Sequence, residues 1–147
     1  MTRFLLDSNL CIACLCRRPW ALKALESVPL ASVAVSALTV GKLVLGTHLS
    51  DHPGQERVKV EAFLRPIQVI PFGRDEAFQW ANSDSQLRKQ GNRIKVEDAM
   101  IAATALALGM TLVSGNIKHF ERVKGLKVVD WEQHQPKGNR SPTKLTP

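Results

Sequence analysis

Short apolar runs recur along this chain at intervals that suit an alternating strand–helix fold. Phe4-Leu5-Leu6, Val33-Ala34-Val35-Ser36, Gln68-Val69-Ile70, Met110-Thr111-Leu112-Val113 and Val128-Val129 are each too short for a helix and suit buried strands. Helical signals fill the intervals. A short helix is expected over 11–16, and Pro19 fits the first turn of another running through residue 25. Thr39 reads as the N-cap of a helix carrying Leu43, with Gly46 inside it explained by close packing. Residues 57–64 read as helical up to Pro66, and 75–89 as an amphipathic helix ended by Gly91-Asn92. A last long helix runs from near Val96 to Leu108, closed by Gly109. Strands alternating with helices in this way specify an α/β protein with a mostly parallel central sheet, whose functional edge lies beyond the strands' C-terminal ends.

The 147 residues suffice for one domain with a sizeable core. From Gln133 the chain contains Pro136, Pro142 and Pro147 without an apolar pattern, so 133–147 is expected to be a basic, disordered tail. That tail carries Lys137, Arg140 and Lys144 and no acid, so it supplies three of the formal charges in the net +7. A basic surface favours anionic partners, nucleic acid or an acidic protein, without choosing between them. Asp7 stops the N-terminal apolar run before it reaches the length of an export signal. The weakly polar run over 99–113 falls short of the roughly 20 residues a bilayer requires, so no membrane role is expected. Cys11, Cys14 and Cys16 have apolar neighbours and no fourth ligand nearby. They read as small core residues in a reducing compartment, most simply the cytoplasm.

Two carboxylates break this apolar pattern. Asp7 ends Phe4-Leu5-Leu6, and Asp98 opens Ala99-Met100-Ile101-Ala102-Ala103. A carboxylate beside a core is costly unless a donor, a cation or a metal compensates it. Each has a bland explanation as a cap or first-turn acid, and Asn116 in the turn Ser114-Gly115-Asn116 is a good cap as well. Taken together, two acids and an amide at element boundaries of an α/β chain can converge on Mg²⁺ or Mn²⁺ and direct water at a phosphodiester.

At these residues the chain resembles the VapC-like toxins of the PIN-domain nuclease family. The resemblance rests on Phe4-Leu5-Leu6-Asp7-Ser8-Asn9, Val35-Ser36-Ala37-Leu38-Thr39, Asp98-Ala99-Met100-Ile101-Ala102-Ala103 and Leu112-Val113-Ser114-Gly115-Asn116. The closing Phe120-Glu121-Arg122-Val123-Lys124-Gly125-Leu126 and Trp131 extend it. It implies a three-layer α/β/α PIN-like domain over 1–132 and a metal-dependent endoribonuclease using Mg²⁺, with Mn²⁺ as a substitute. It also implies the toxin role in a bacterial toxin–antitoxin pair, a VapB-like antitoxin as partner and RNA, including tRNA, as substrate. A homodimer is implied too, with DNA bound only indirectly through the antitoxin. Asp7 and Asp98 match the family's essential acids, Asn116 its C-terminal polar position, and Ser8 the small hydroxyl position beside the first acid. Ser114 stands as a supporting residue.

Lys42 departs from the pattern, because its position in Thr39-Val40-Gly41-Lys42-Leu43 normally carries a glutamate. An ammonium offers donors but no oxygen to a hard cation. Three readings stay open here: Lys42 points away from a weakened metal site; the chain has diverged into a binding protein; or the lysine is an inactivating substitution. Arg88, Lys89, Arg93 and Lys95 form the clearest basic cluster, read either as a solvated helix end or as RNA-backbone contacts. Trp20, Trp80 and Trp131 read as core or interface anchors. Of the four histidines only His119 stands near a site residue, Asn116.

Overall fold

The computed structural model describes residues 3–136. Five strands form one sheet: β1 (Phe4–Leu6), β2 (Val33–Ser36), β3 (Gln68–Ile70), β4 (Thr111–Val113) and β5 (Val128–Val129). Their order across the sheet is β3-β2-β1-β4-β5, and every pairing is parallel. Among the described residues seven α-helices connect them: α1 (Ser8–Leu15), α2 (Pro19–Glu26), α3 (Ala37–His48), α4 (Pro53–Leu64), α5 (Arg74–Lys89), α6 (Val96–Leu108) and α7 (Ile117–Phe120).

Side chains of a strand alternate between faces, and here the alternation separates two cores. Leu6, Val33, Val35 and Val113 pack with α1 to α4 through residues such as Leu10, Leu25, Leu43 and Val60. Leu5, Ala34 and Leu112 pack on the other face with Leu87, Ala99, Ile101 and Ala102 of α5 and α6. The inner strands β1, β2 and β4 are therefore buried on both sides, which is why they read as apolar runs, whereas the edge strand β3 exposes Gln68 and Val69. The result is the expected three-layer α/β/α arrangement.

Several boundaries differ from the sequence reading, each for a local reason. Helix α3 begins at Ala37, not beyond Thr39, because Ser36 at the end of β2 caps it; the Ser36 hydroxyl accepts the Thr39 N–H at 3.1 Å. Thr39 is instead fully buried inside the first turn. Gly46 does not serve close packing, since a Cβ there would meet nothing within 4 Å. Helix α4 starts four residues before Arg57, at Pro53, whose fixed φ suits the first helical position. A 3-10 turn, Leu30–Ser32, precedes β2 without a signal in the sequence. The glycine stops are as expected: Gly91 and Gly109 have φ of 65° and 64°, the left-handed geometry that glycine adopts without a Cβ penalty.

The described part of the expected tail, 133–136, remains bonded to the domain. The His134 N–H donates to the Asp130 carbonyl at 2.8 Å, and Gln135 Nε2 donates to the Trp131 carbonyl at 2.8 Å. Residues 137–147, where the rest of that expectation falls, lie outside the described residues. Among the described residues no helix is long and apolar enough to cross a membrane.

Candidate active site

Successive connections lead from β1 outward to β2 and β3, and then the chain returns to β4 on the other side of β1. The strand order thus reverses between β1 and β4, and open parallel sheets hold ligands in the crevice at the C-terminal ends of such a pair. Asp7 directly follows β1 and Ser114 directly follows β4. The two are bonded: the Ser114 hydroxyl donates to Asp7 Oδ2 at 2.9 Å, across 107 residues of chain. Asp7 Oδ1 accepts the Ser8 N–H at 2.8 Å, which caps α1. Both oxygens of this carboxylate, only 4% exposed, therefore have donors, and its burial is compensated without any cation. Capping and membership of the crevice are one arrangement rather than competing explanations.

Asn116 joins this cluster through its backbone. Its N–H donates to the Ser114 hydroxyl at 3.1 Å, and its carbonyl accepts from the N–H groups of His119 and Phe120, both at 3.2 Å. It occupies the N-cap position of α7, but its side chain makes no capping hydrogen bond, contrary to the capping expectation. The amide is exposed and available to a ligand.

Asp98 sits in the first turn of α6, where the helix field favours a carboxylate. Two basic side chains from other elements close on it. Lys42 Nζ, from α3, lies 3.4 Å from Oδ1, and His119 Nε2, from α7, lies 3.0 Å from Oδ2. The Asp98 side chain is 14% exposed, against 35% for Lys42 and 20% for His119. Lys42 does not point away; it reaches across the site to the second acid. His119 is the residue whose place the sequence did not reveal. It stands one turn after Asn116, but its partner lies 21 residues away on a different helix.

These donors do not fit a hard divalent cation as they stand. Mg²⁺ requires several oxygen ligands in a near-octahedral shell. Among the described residues no three His, Cys, Asp or Glu side chains gather as such a shell would need. One of the two carboxylates on offer already faces an ammonium, and a metal there would meet a like charge. The cysteines add nothing to this set. Burial pushes the Cys14 thiol up to about 12. It also raises the Cys11 thiol, with Cys14 and Asp7 adding in the same direction, so neither is a thiolate near neutral pH.

Of the basic cluster, Arg88, Lys89, Arg93 and Lys95 are all exposed on the end of α5 and the connection leading into α6. Arg88 Nε is paired with Asp84 Oδ2 at 2.7 Å, and the Arg93 carbonyl accepts from Arg122 Nη1 at 3.3 Å. Lys95 is the N-cap residue of α6, three positions before Asp98.

Comparison with known proteins gives this geometry its context. Residues 4–126 match the PIN domain family. Ribonuclease VapC2 of Haemophilus influenzae is 32% identical over 131 residues, which span 89% of this chain and 99% of that protein. The tRNA(fMet)-specific endonuclease VapC of Shigella flexneri is 29% identical over an equal span. Among solved structures, DNA-bound VapBC from Salmonella typhimurium superposes with a TM-score of 0.84 at 25% identity, covering 89% of this chain and 99% of that one. VapBC2 from Rickettsia felis, bound to a promoter DNA fragment, gives 0.78 at 26% identity over 88% and 99%.

Proposed function

The chain belongs to the PIN-domain family of VapC-like ribonuclease toxins, and from that premise we propose that it is the toxin component of a bacterial type II toxin–antitoxin pair whose endoribonuclease centre is held impaired by Lys42. Its partner is a VapB-like antitoxin, through which it meets DNA only indirectly; its polymer is RNA, including tRNA; and it acts in the cytoplasm as a homodimer. The relatives support the class: two are ribonucleases, one of them specific for tRNA(fMet), and two structures hold DNA with a VapBC pair. The family is generally Mg²⁺-dependent, and the cofactor proposed for this fold is Mg²⁺ or, in its place, Mn²⁺.

One observation carries the impairment: Lys42 Nζ lies 3.4 Å from Asp98 Oδ1. An ammonium there neutralises a carboxylate that Mg²⁺ would need, and it offers no oxygen in exchange. The residues still able to act on RNA are Asp7, held by Ser8 and Ser114, and the exposed amide of Asn116, which orients a substrate oxygen. Arg88, Lys89, Arg93 and Lys95 hold the phosphate backbone on the approach to α6. A second reading follows from the same contact: a degenerate toxin homologue that binds antitoxin or RNA without cutting.

The test is RNA cleavage titrated with Mg²⁺ and Mn²⁺, using the chain as it stands, Lys42→Glu, and Lys42→Glu with Asp7→Asn. The expected result is a rise of roughly 10²-fold or more with Lys42→Glu, the scale of restoring one charge-stabilising group. Adding Asp7→Asn returns it to background. Metal-dependent cleavage by the unaltered chain, abolished by Asp7→Asn, overturns both the impairment and the binding-only reading. Cleavage by neither the chain nor Lys42→Glu supports the binding-only reading.

A further inference from the structure

Beside the Asp7 cluster, a cavity of about 340 Å³ opens between the start of α1, the start of α2, the turn after β4 and the segment after β5. It shares Ser114 and Asn116 with the candidate active site. Its volume lies near the lower end, ~300 Å³, of pockets that hold small ligands, which suits one nucleobase. Half-buried Trp20 supplies aromatic surface over a floor that includes the buried Trp131, Asn9 and Asn116 supply exposed amides, and Asp130 and Glu132 supply carboxylates. We propose that this cavity is a nucleobase pocket that reads a guanine of an RNA lying along the crevice formed by the ends of β1 and β4. The proposal rests on the ribonuclease reading for the identity of the polymer.

The charge of the lining decides which part of an RNA enters. Two carboxylates repel a phosphate, so the backbone stays outside and a donor-bearing base edge goes in. Sequence-specific RNA recognition proceeds in this way, with an unstacked base placed on an aromatic side chain and read along its Watson–Crick edge. Guanine presents two adjacent donors there, the N1–H and the exocyclic amine, matching the acceptors of a carboxylate. Adenine and cytosine present one amine each and uracil a single N–H. The amide of Asn9 carries both a donor and an acceptor for the remaining edge.

The walls are preformed. Trp131, buried at 2% exposure, packs edge-on to Phe4 with ring centroids 5.2 Å apart. Gln135 Nε2 donates to the carbonyls of both Trp20 and Trp131, at 3.3 and 2.8 Å, tying the two tryptophan-bearing segments together. Asp130 Oδ1 accepts the Glu132 N–H at 2.9 Å, which fixes the Asp130 carboxylate at the rim.

Fluorescence anisotropy on the full chain, with EDTA present so that no cleavage intervenes, tests the proposal. The probes are labelled uridine decamers carrying one central guanine, adenine or inosine. The expected preference for guanine over adenine is roughly tenfold, the scale of one good base contact, with inosine falling between because it lacks the exocyclic amine. Asp130→Asn with Glu132→Gln removes the preference while leaving binding of the all-uridine decamer in place. The asparagine retains an oxygen for the Glu132 N–H, so the turn survives, and circular dichroism verifies this. Trp20→Leu weakens the guanine decamer more than the all-uridine one. Equal binding of guanine and adenine decamers overturns the proposal, as does a guanine preference that survives the double substitution. Failure of the ribonuclease reading is seen separately, as absence of cleavage by Lys42→Glu with the base preference intact.

Discussion

Ser114 is a small side chain that joins two parts of the site. Its hydroxyl donates to the buried Asp7 and accepts the Asn116 N–H, so one oxygen links the residues that follow β1 and β4, beside the backbone bond from the Asp7 N–H to the Val113 carbonyl. Ser114→Ala leaves Asp7 Oδ2 buried without that donor, a loss of about 1–3 kcal/mol, to be measured as a lower urea midpoint at unchanged m-value. An unaltered midpoint shows that another donor or water replaces the hydroxyl. At this scale the sequence was informative wherever polarity interrupted an apolar run, which is how Asp7 and Asp98 stand out. Lys42 was conspicuous only against a family pattern, and its direction could not be read, because a four-carbon stem can reach either solvent or Asp98. His119 was legible as a neighbour of Asn116. Its contact with Asp98 depends on how α6 and α7 meet, a tertiary fact that local spacing does not encode.

Helix α3 shows how an element positions the chemistry it carries. Ser36 ends β2 and caps α3 in one step, Thr39 is buried in the first turn, and Lys42 follows one turn later on the side facing α6. Ser36→Ala removes the cap and lowers stability by about 1 kcal/mol, read as a shift in the unfolding midpoint. Ser36→Thr keeps a hydroxyl acceptor at the same position and recovers most of the loss; failure of Ser36→Ala to move the midpoint assigns the start of α3 to packing alone. Elements whose ends carry punctuation were readable: Pro19 opens α2, Gly91 follows α5 and Gly109 closes α6. The start of α3 was misplaced because Ser36 and Thr39 are both competent caps. Only the choice of which one leaves the strand, set by the pairing Ser36↔Ile70, decides between them.

For the molecule as a whole, three of the seven net positive charges lie outside the part of the chain that holds the described core. The buried hydrophobic residues described fall between Leu5 and Trp131, packed on the two faces of the sheet. Residues 137–147 hold Lys137, Arg140 and Lys144 and no acid, so ending the chain at Pro136 lowers the formal charge from +7 to +4. Ending there also keeps the Gln135 bonds that tie Trp20 to Trp131. If the domain proposed for 1–132 is self-sufficient, truncation leaves the thermal midpoint within about 2 °C, less than the shift a loss of 1 kcal/mol gives in a domain of this size. RNA binding is expected to respond differently. Each phosphate neutralised on a single strand contributes about −0.7 to the slope of log affinity against log salt, so three tail contacts contribute about −2. Anisotropy of an all-uridine decamer across a salt series, with and without residues 137–147, measures that difference. A slope shallower by about 2 on truncation assigns the tail to the phosphate-binding surface. An unchanged slope confines that surface to the folded domain, where Arg88, Lys89, Arg93 and Lys95 stand exposed ahead of Asp98. A thermal midpoint that falls with truncation instead moves the domain boundary past residue 136.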